Sequence, residues 1–226
     1  MNNKNIVAIG GGGFGRSIGS LEIEKYIISL ISKKRPKICF IPTASGDNSL
    51  YKLSFYRAFS KLDCLPSHID FFSRTENLEE KVLNQDIVYV GGGNTKSMLA
   101  VWKEWNLHNI LKNAYEKGIV MSGVSAGAIC WFDKGVTDSF ANELTIMNCL
   151  GIVDGIACPH FDEEKEREPY VNDVINKGTI NSCICIEGNC ALHIKNDFEF
   201  SSIDFGKGKK CFKVYKENNN LKKEIL

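Results

Sequence analysis

Residues 119–132 read IVMSGVSAGAICWF, and three textures follow one another along them. Ile119 to Met121 is a short apolar run of the kind that forms a buried strand. Gly123-Val124-Ser125-Ala126-Gly127 is a G-x-S-x-G turn, and the apolar segment Ala128 to Phe132 behind it reads as helix. Small residues flanking a serine allow a strained strand-to-helix turn that lifts its hydroxyl into the open. Ser125 is therefore the candidate nucleophile. The amide of Ala126 would face negative charge developing on an attacked carbonyl.

Strand, turn and helix is also the pattern of the rest of the chain. Apolar, β-branched runs recur at Ile6 to Ile9, Ile38 to Ile41, Ile69 to Phe72, Ile87 to Val90, Gly155 to Cys158 and Cys183 to Ile186. Stretches with helical spacing separate most of them, such as Ile23, Ile27, Leu30 and Ile31, or Leu50, Leu53, Tyr56 and Phe59. This alternation predicts an α/β three-layer sandwich with a mainly parallel central sheet. Cys190 to Ile194 and Cys211 to Tyr215, set between Gly-, Asp- and Lys-rich turns, predict antiparallel strands at its edge. No linker or repeat divides the chain, so residues 1–226 are expected to form one domain.

Ligands of open sheets bind beyond the carboxyl ends of the strands. Three loops there are glycine-rich. Gly10 to Gly15 contains G-x-G-x-x-G, but the next strand ends in Ile41-Pro42-Thr43 without the acidic residue a dinucleotide site requires. Gly91-Gly92-Gly93-Asn94-Thr95 opens a helix, and its amides suit an oxyanion hole, Gly92 or Gly93 acting with Ala126. The elbow is the third. Of the four His, His68 precedes a strand, at its amino end, and only His160, after Gly155 to Cys158, is placed by topology on the same rim as Ser125. Glu187 closes the strand Cys183 to Ile186 and ranks first as the carboxylate orienting His160; Asp133, Asp138 and Asp162 are its rivals.

Composition narrows the partners. With 28 Lys+Arg against 27 Asp+Glu, no strong attraction to nucleic acid or an anionic membrane is expected. The basic cluster Lys207, Lys209 and Lys210 reads as a solvated turn. The start MNNKNIVAIGGGG resembles neither a signal peptide nor a membrane span, so a cytoplasmic location is expected. Nine Cys, an odd count with several in apolar runs, are expected to be reduced, and Cys183, Cys185 and Cys190 lack zinc-ligand spacing. Trp102 and Trp105 bracket an apolar helical stretch read as core, the alternative being a homodimer interface.

Four elements in order, Gly91-Gly92-Gly93-Asn94-Thr95, Ser125-Ala126-Gly127, Pro159-His160-Phe161 and Glu187-Gly188-Asn189, make the chain resemble the peptidase E (aspartyl dipeptidase) family of serine peptidases. That family is related to cyanophycinase and has a class I glutamine amidotransferase-like fold. The resemblance implies Ser125 as nucleophile, His160 as general acid/base and Glu187 as third member, with Asp138 the alternative. It implies an oxyanion hole from Ala126 with Gly92 or Gly93, and substrate contacts from Asn94 and Arg167, the latter meeting an N-terminal Asp. It implies a small peptide substrate and no metal or organic cofactor. Two rival readings are a cyanophycinase-like isopeptide or amide hydrolase and a non-catalytic module holding a small acidic molecule or nucleotide on its glycine loops.

Overall fold

A computed structural model describes residues 3–16, 20–141, 143–206 and 208–226, so Lys207 of the basic cluster lies outside the described residues. The strands are β1 (Asn5–Ile9), β2 (Lys37–Ile41), β3 (Leu65–His68), β4 (Ile87–Val90), β5 (Val120–Val124), β6 (Phe132–Thr137), β7 (Thr145–Asn148), β8 (Val153–Cys158), β9 (Ser182–Ile186), β10 (Cys190–Lys195), β11 (Glu199–Asp204), β12 (Cys211–Glu217) and β13 (Asn220–Ile225). The helices are α1 (Glu22–Ser29), α2 (Ser49–Phe59), α3 (Leu78–Leu83), α4 (Thr95–Glu104), α5 (Leu107–Glu116), α6 (Ala126–Ile129) and α7 (Arg167–Asn176). Among them, no helix is long and apolar enough to cross a membrane.

The architecture is a three-layer α/β sandwich. Its larger sheet has the order β11-β10-β1-β5-β4-β2-β3, parallel from β1 to β3, with β10 and β11 antiparallel at one edge. The sequence dictates both covered faces. Side chains alternate along a strand, so Ile6, Ala8, Cys39, Ile41, Val88 and Val90 join Trp102 of α4 and Leu111 of α5 in one apolar cluster. Val7, Ile9, Ile38, Phe40, Ile87 and Tyr89 point the other way, onto Ile27 of α1 and Phe55 and Phe59 of α2. Each fully buried Ile or Phe contributes roughly 2 kcal/mol relative to exposure.

A second sheet, β13-β12-β9-β8-β6-β7, is parallel across β6, β8 and β9. Phe132, Val153 and Ala157 belong to the first sheet's α4–α5 cluster, while Cys158, Cys183, Cys185 and Val214 pack on Val171 and Ile175 of α7. The strands after residue 190 therefore divide: β10 and β11 extend the larger sheet, and β12 and β13 extend the second.

Four local readings need correction. The strand expected at Ile69 to Phe72 is a loop, because β3 has already finished pairing with β2 and the Asp47 carboxylate takes the amides of Phe71 and Phe72. The helix expected over Ala128 to Phe132 stops after one turn, and Phe132 starts β6. The face of α2 is rotated: Phe55, Ala58 and Phe59 are buried, whereas Leu50 is 73% exposed. His68 closes a strand instead of preceding one, held by Tyr56 and Asp70. Trp102 does lie in the core, its Nε1–H donating to Thr43 Oγ1 at 3.1 Å, and Trp105 packs against that core.

Candidate active site

The carboxyl end of β1 gathers the site. The Ser125 N–H donates to the Ile9 carbonyl at 3.0 Å and the His160 N–H donates to the Gly10 carbonyl at 3.1 Å. Consecutive Cα atoms are about 3.8 Å apart, so the elbow after β5 and the loop after β8 hang from neighbouring peptide units. The turn between β9 and β10 joins them, Asn189 N–H donating to the Gly11 carbonyl at 2.8 Å.

Ser125 has φ 58° and ψ −113°. An L-residue held there is strained by about 1–3 kcal/mol, which the surroundings must offset. They do so with the Ile9 bond and with amides of Ala128 and Ile129 donating to the Ser125 carbonyl at 2.9 and 3.1 Å. Glycine at 127 is required by close approach, because a Cβ there would strike the Val90 carbonyl. Ala126 begins α6, so its amide has no acceptor within the helix.

His160 also has positive φ, 52°, and its carbonyl accepts from the amides of Glu163 and Glu164 at 3.0 and 3.1 Å. That tight turn brings the Glu163 carboxylate back onto the ring, with Oε2 2.6 Å from Nδ1. An ionised carboxylate only accepts. Arg16 Nη2, a donor only, lies 3.3 Å from the same Nδ1, but the carboxylate contact is the shorter and assigns the proton to Nδ1, which leaves Nε2 as the acceptor. Arg16 Nη1 pairs with the other Glu163 oxygen at 2.5 Å. The imidazole, its carboxylate and a guanidinium thus form one chain.

This geometry corrects the expected third member. The carboxylate on His160 is that of Glu163, while Glu187 accepts the Lys210 N–H at 2.9 Å and so ties β9 to β12. Asp138 is exposed beyond β6. The Glu187-Gly188-Asn189 turn still serves the site, since Gly188 packs on Glu163 and its N–H donates to Asp162 at 2.7 Å.

Both residues expected to contact substrate are engaged within the protein. Asn94 caps α4: its Oδ1 accepts from Ser97 N–H at 2.8 Å and its Nδ2 donates to the Ser139 carbonyl at 3.1 Å. Arg167 is buried at the start of α7, paired with Glu164 at 2.6 Å and donating to the Val136 carbonyl at 3.2 Å. Of the two oxyanion amides expected from the second glycine loop, Gly92 lines the cleft with Ser125, whereas Gly93 packs against Ala44.

Gly12, Arg16, Tyr51, Gly92, Ser125 and His160 surround an open cleft of about 390 Å³, within the size range of small-ligand sites. Sequence reasoning missed Glu163, Arg16 and Tyr51. Glu163 carried a usable signal, a carboxylate three residues after the candidate base; Arg16 directly follows the first glycine loop; Tyr51 begins the buried face of α2 that the periodicity misplaced.

The family model of peptidase family S51 matches residues 6–200. The uncharacterised peptidase YgaJ of Bacillus subtilis (strain 168) is 44% identical over 212 residues, 93% of this chain and 92% of that relative. The uncharacterised peptidase Lmo0363 of Listeria monocytogenes is 29% identical over 145 residues, 58% of this chain and 68% of that relative. A crystal structure of a peptidase from an acI-B1 Actinobacterium superposes with a TM-score of 0.68 at 17% identity, covering 99% of this chain and 93% of that one, a likeness of fold.

Proposed function

The chain belongs to peptidase family S51, and we propose that it cleaves small peptides as a serine peptidase through an acyl-enzyme on Ser125. The observation carrying this reading is the docking of Ser125 and His160 on consecutive carbonyls of Ile9 and Gly10, with His160 Nδ1 on Glu163. Ser125 Oγ attacks the scissile carbonyl while His160 Nε2 takes its proton. Glu163 holds the Nδ1–H tautomer and stabilises the imidazolium as it forms. The Ala126 amide faces the oxyanion. His160 then returns the proton to the departing amine, and water, activated by the same imidazole, releases the acyl group.

Arg167 no longer supports a preference for N-terminal Asp. We propose Arg16 as the cation for an acidic residue at the scissile bond, because it lines the cleft beside His160 with its side chain half exposed. The test is a scan of dipeptides varied at the first residue, with free and blocked amino ends. Cleavage of free dipeptides is expected, fastest with an acidic first residue and with that preference lost in Arg16→Gln. Cleavage of no peptide would overturn the reading. Cleavage of isopeptides alone would move it to amide hydrolysis of the cyanophycinase type.

A further inference from the structure

We infer that the Tyr51 hydroxyl is an oxyanion donor, relaying the Gly92 amide to the substrate carbonyl. The inference rests on the serine-peptidase reading. Gly92 N–H donates to Tyr51 Oη at 3.3 Å, so this amide is already engaged and acts on an oxyanion through the phenol. Among the described residues no acceptor takes the phenolic proton, and Tyr51 lines the same cleft as Ser125 and His160. The anchor adjoins the nucleophile: a Cβ built on Gly92 would lie 3.3 Å from Ser125 Cβ.

The phenol is fixed in place. Its ring packs against Phe40 at 5.0 Å and Phe14 at 5.4 Å between centroids. A Cβ at Gly15 or Gly91 would lie 2.9 Å from a ring carbon, so glycine at both positions makes room for this ring. Burial pushes the phenol up to about 12, so it stays neutral and keeps its proton at ordinary pH. A preorganised donor of this kind strengthens as charge develops and costs no reorganisation during the reaction.

In the step itself, the bond from Ser125 Oγ to carbon forms as the carbonyl π pair moves onto oxygen. The serine proton goes to His160 Nε2, and the phenolic proton stays on Tyr51 while hydrogen-bonding the oxyanion. When the tetrahedral adduct collapses, that pair reforms the carbonyl, the C–N bond breaks and the amine leaves with the proton from His160.

Tyr51→Phe keeps the ring and removes only the hydroxyl. It is expected to lower kcat about a hundredfold, with KM nearly unchanged and the melting temperature close to wild type. Affinity for a peptidyl aldehyde, whose hemiacetal with Ser125 mimics the adduct, should fall in parallel. Wild-type kcat, a loss confined to KM, or unchanged aldehyde affinity would overturn the inference. Should Tyr51→Phe fail to fold, site-specific 3,5-difluorotyrosine at position 51 keeps the shape and acidifies the phenol. Activity should then fall as that phenol ionises with rising pH, and an unchanged pH profile would overturn it. Ser125→Ala assayed on the same peptide separates the two readings: retained turnover there removes the serine-peptidase reading, whereas its loss beside a fully active Tyr51→Phe removes only the Tyr51 inference.

Discussion

Exchanging Glu163 for Gln keeps the side chain's length and an acceptor oxygen but removes the charge that holds Nδ1–H on His160 and stabilises the imidazolium. Turnover should fall between about a hundredfold and ten-thousandfold, the upper figure being the loss in a serine triad whose carboxylate becomes an amide. Glu187→Gln should leave turnover near wild type and cost about 1 kcal/mol through the weakened bond to Lys210 N–H. The paired assay fails the account if Glu187→Gln is the slower enzyme. Ser125 and His160 were legible in the sequence because each ends a strand through small or rigid residues, which fixes the rim it occupies. Glu163 offered only its spacing from His160, because its approach depends on the left-handed φ of His160, which folds three residues back on themselves. Arg167 misled for a related reason: its neighbour Glu164 and the Val136 carbonyl draw it under the second sheet.

At the level of elements, Asn94 caps α4, its side chain accepting from the Ser97 N–H. Asn94→Ala should cost about 1 kcal/mol of unfolding free energy, a typical loss for a helix cap, and leave KM for the best dipeptide unchanged. A raised KM at unaltered stability would return Asn94 to the binding site. The missed strand β6 shows where the pattern becomes ambiguous. Ala128 to Phe132 is apolar throughout, and a buried one-turn helix followed by a buried strand has no periodicity to separate it from a longer helix. The face of α2 was misplaced for the opposite reason. Leu50 and Leu53 look like core residues but stand at 73% and 45% exposure, and Leu50 forms part of the cleft wall.

On the scale of the whole molecule, the α/β layering was legible because alternate residues of β1, β2 and β4 feed two different apolar clusters. The split into two sheets was not, since β8 pairs with β6 and β9 and not with the larger sheet, a choice of partner that strand periodicity does not encode. His193 on β10 is enclosed between Tyr26 Oη at 2.7 Å and Asn5 Oδ1 at 2.9 Å, and burial lowers it to about 4. A histidine depressed from an unfolded value near 6.5 favours the neutral folded form, so its stability contribution is full above that value and is lost as pH falls toward the folded one. Between pH 7 and pH 5 the wild type should lose about 2 kcal/mol more than His193→Gln, read from urea unfolding; equal losses would contradict this. The convergence of β5 and β8 on the end of β1 is tested most directly by the kcat/KM of Ser125→Ala on the best peptide from the dipeptide scan. A fall of about a millionfold in an intact fold is predicted, and turnover at the wild-type rate would contradict the account.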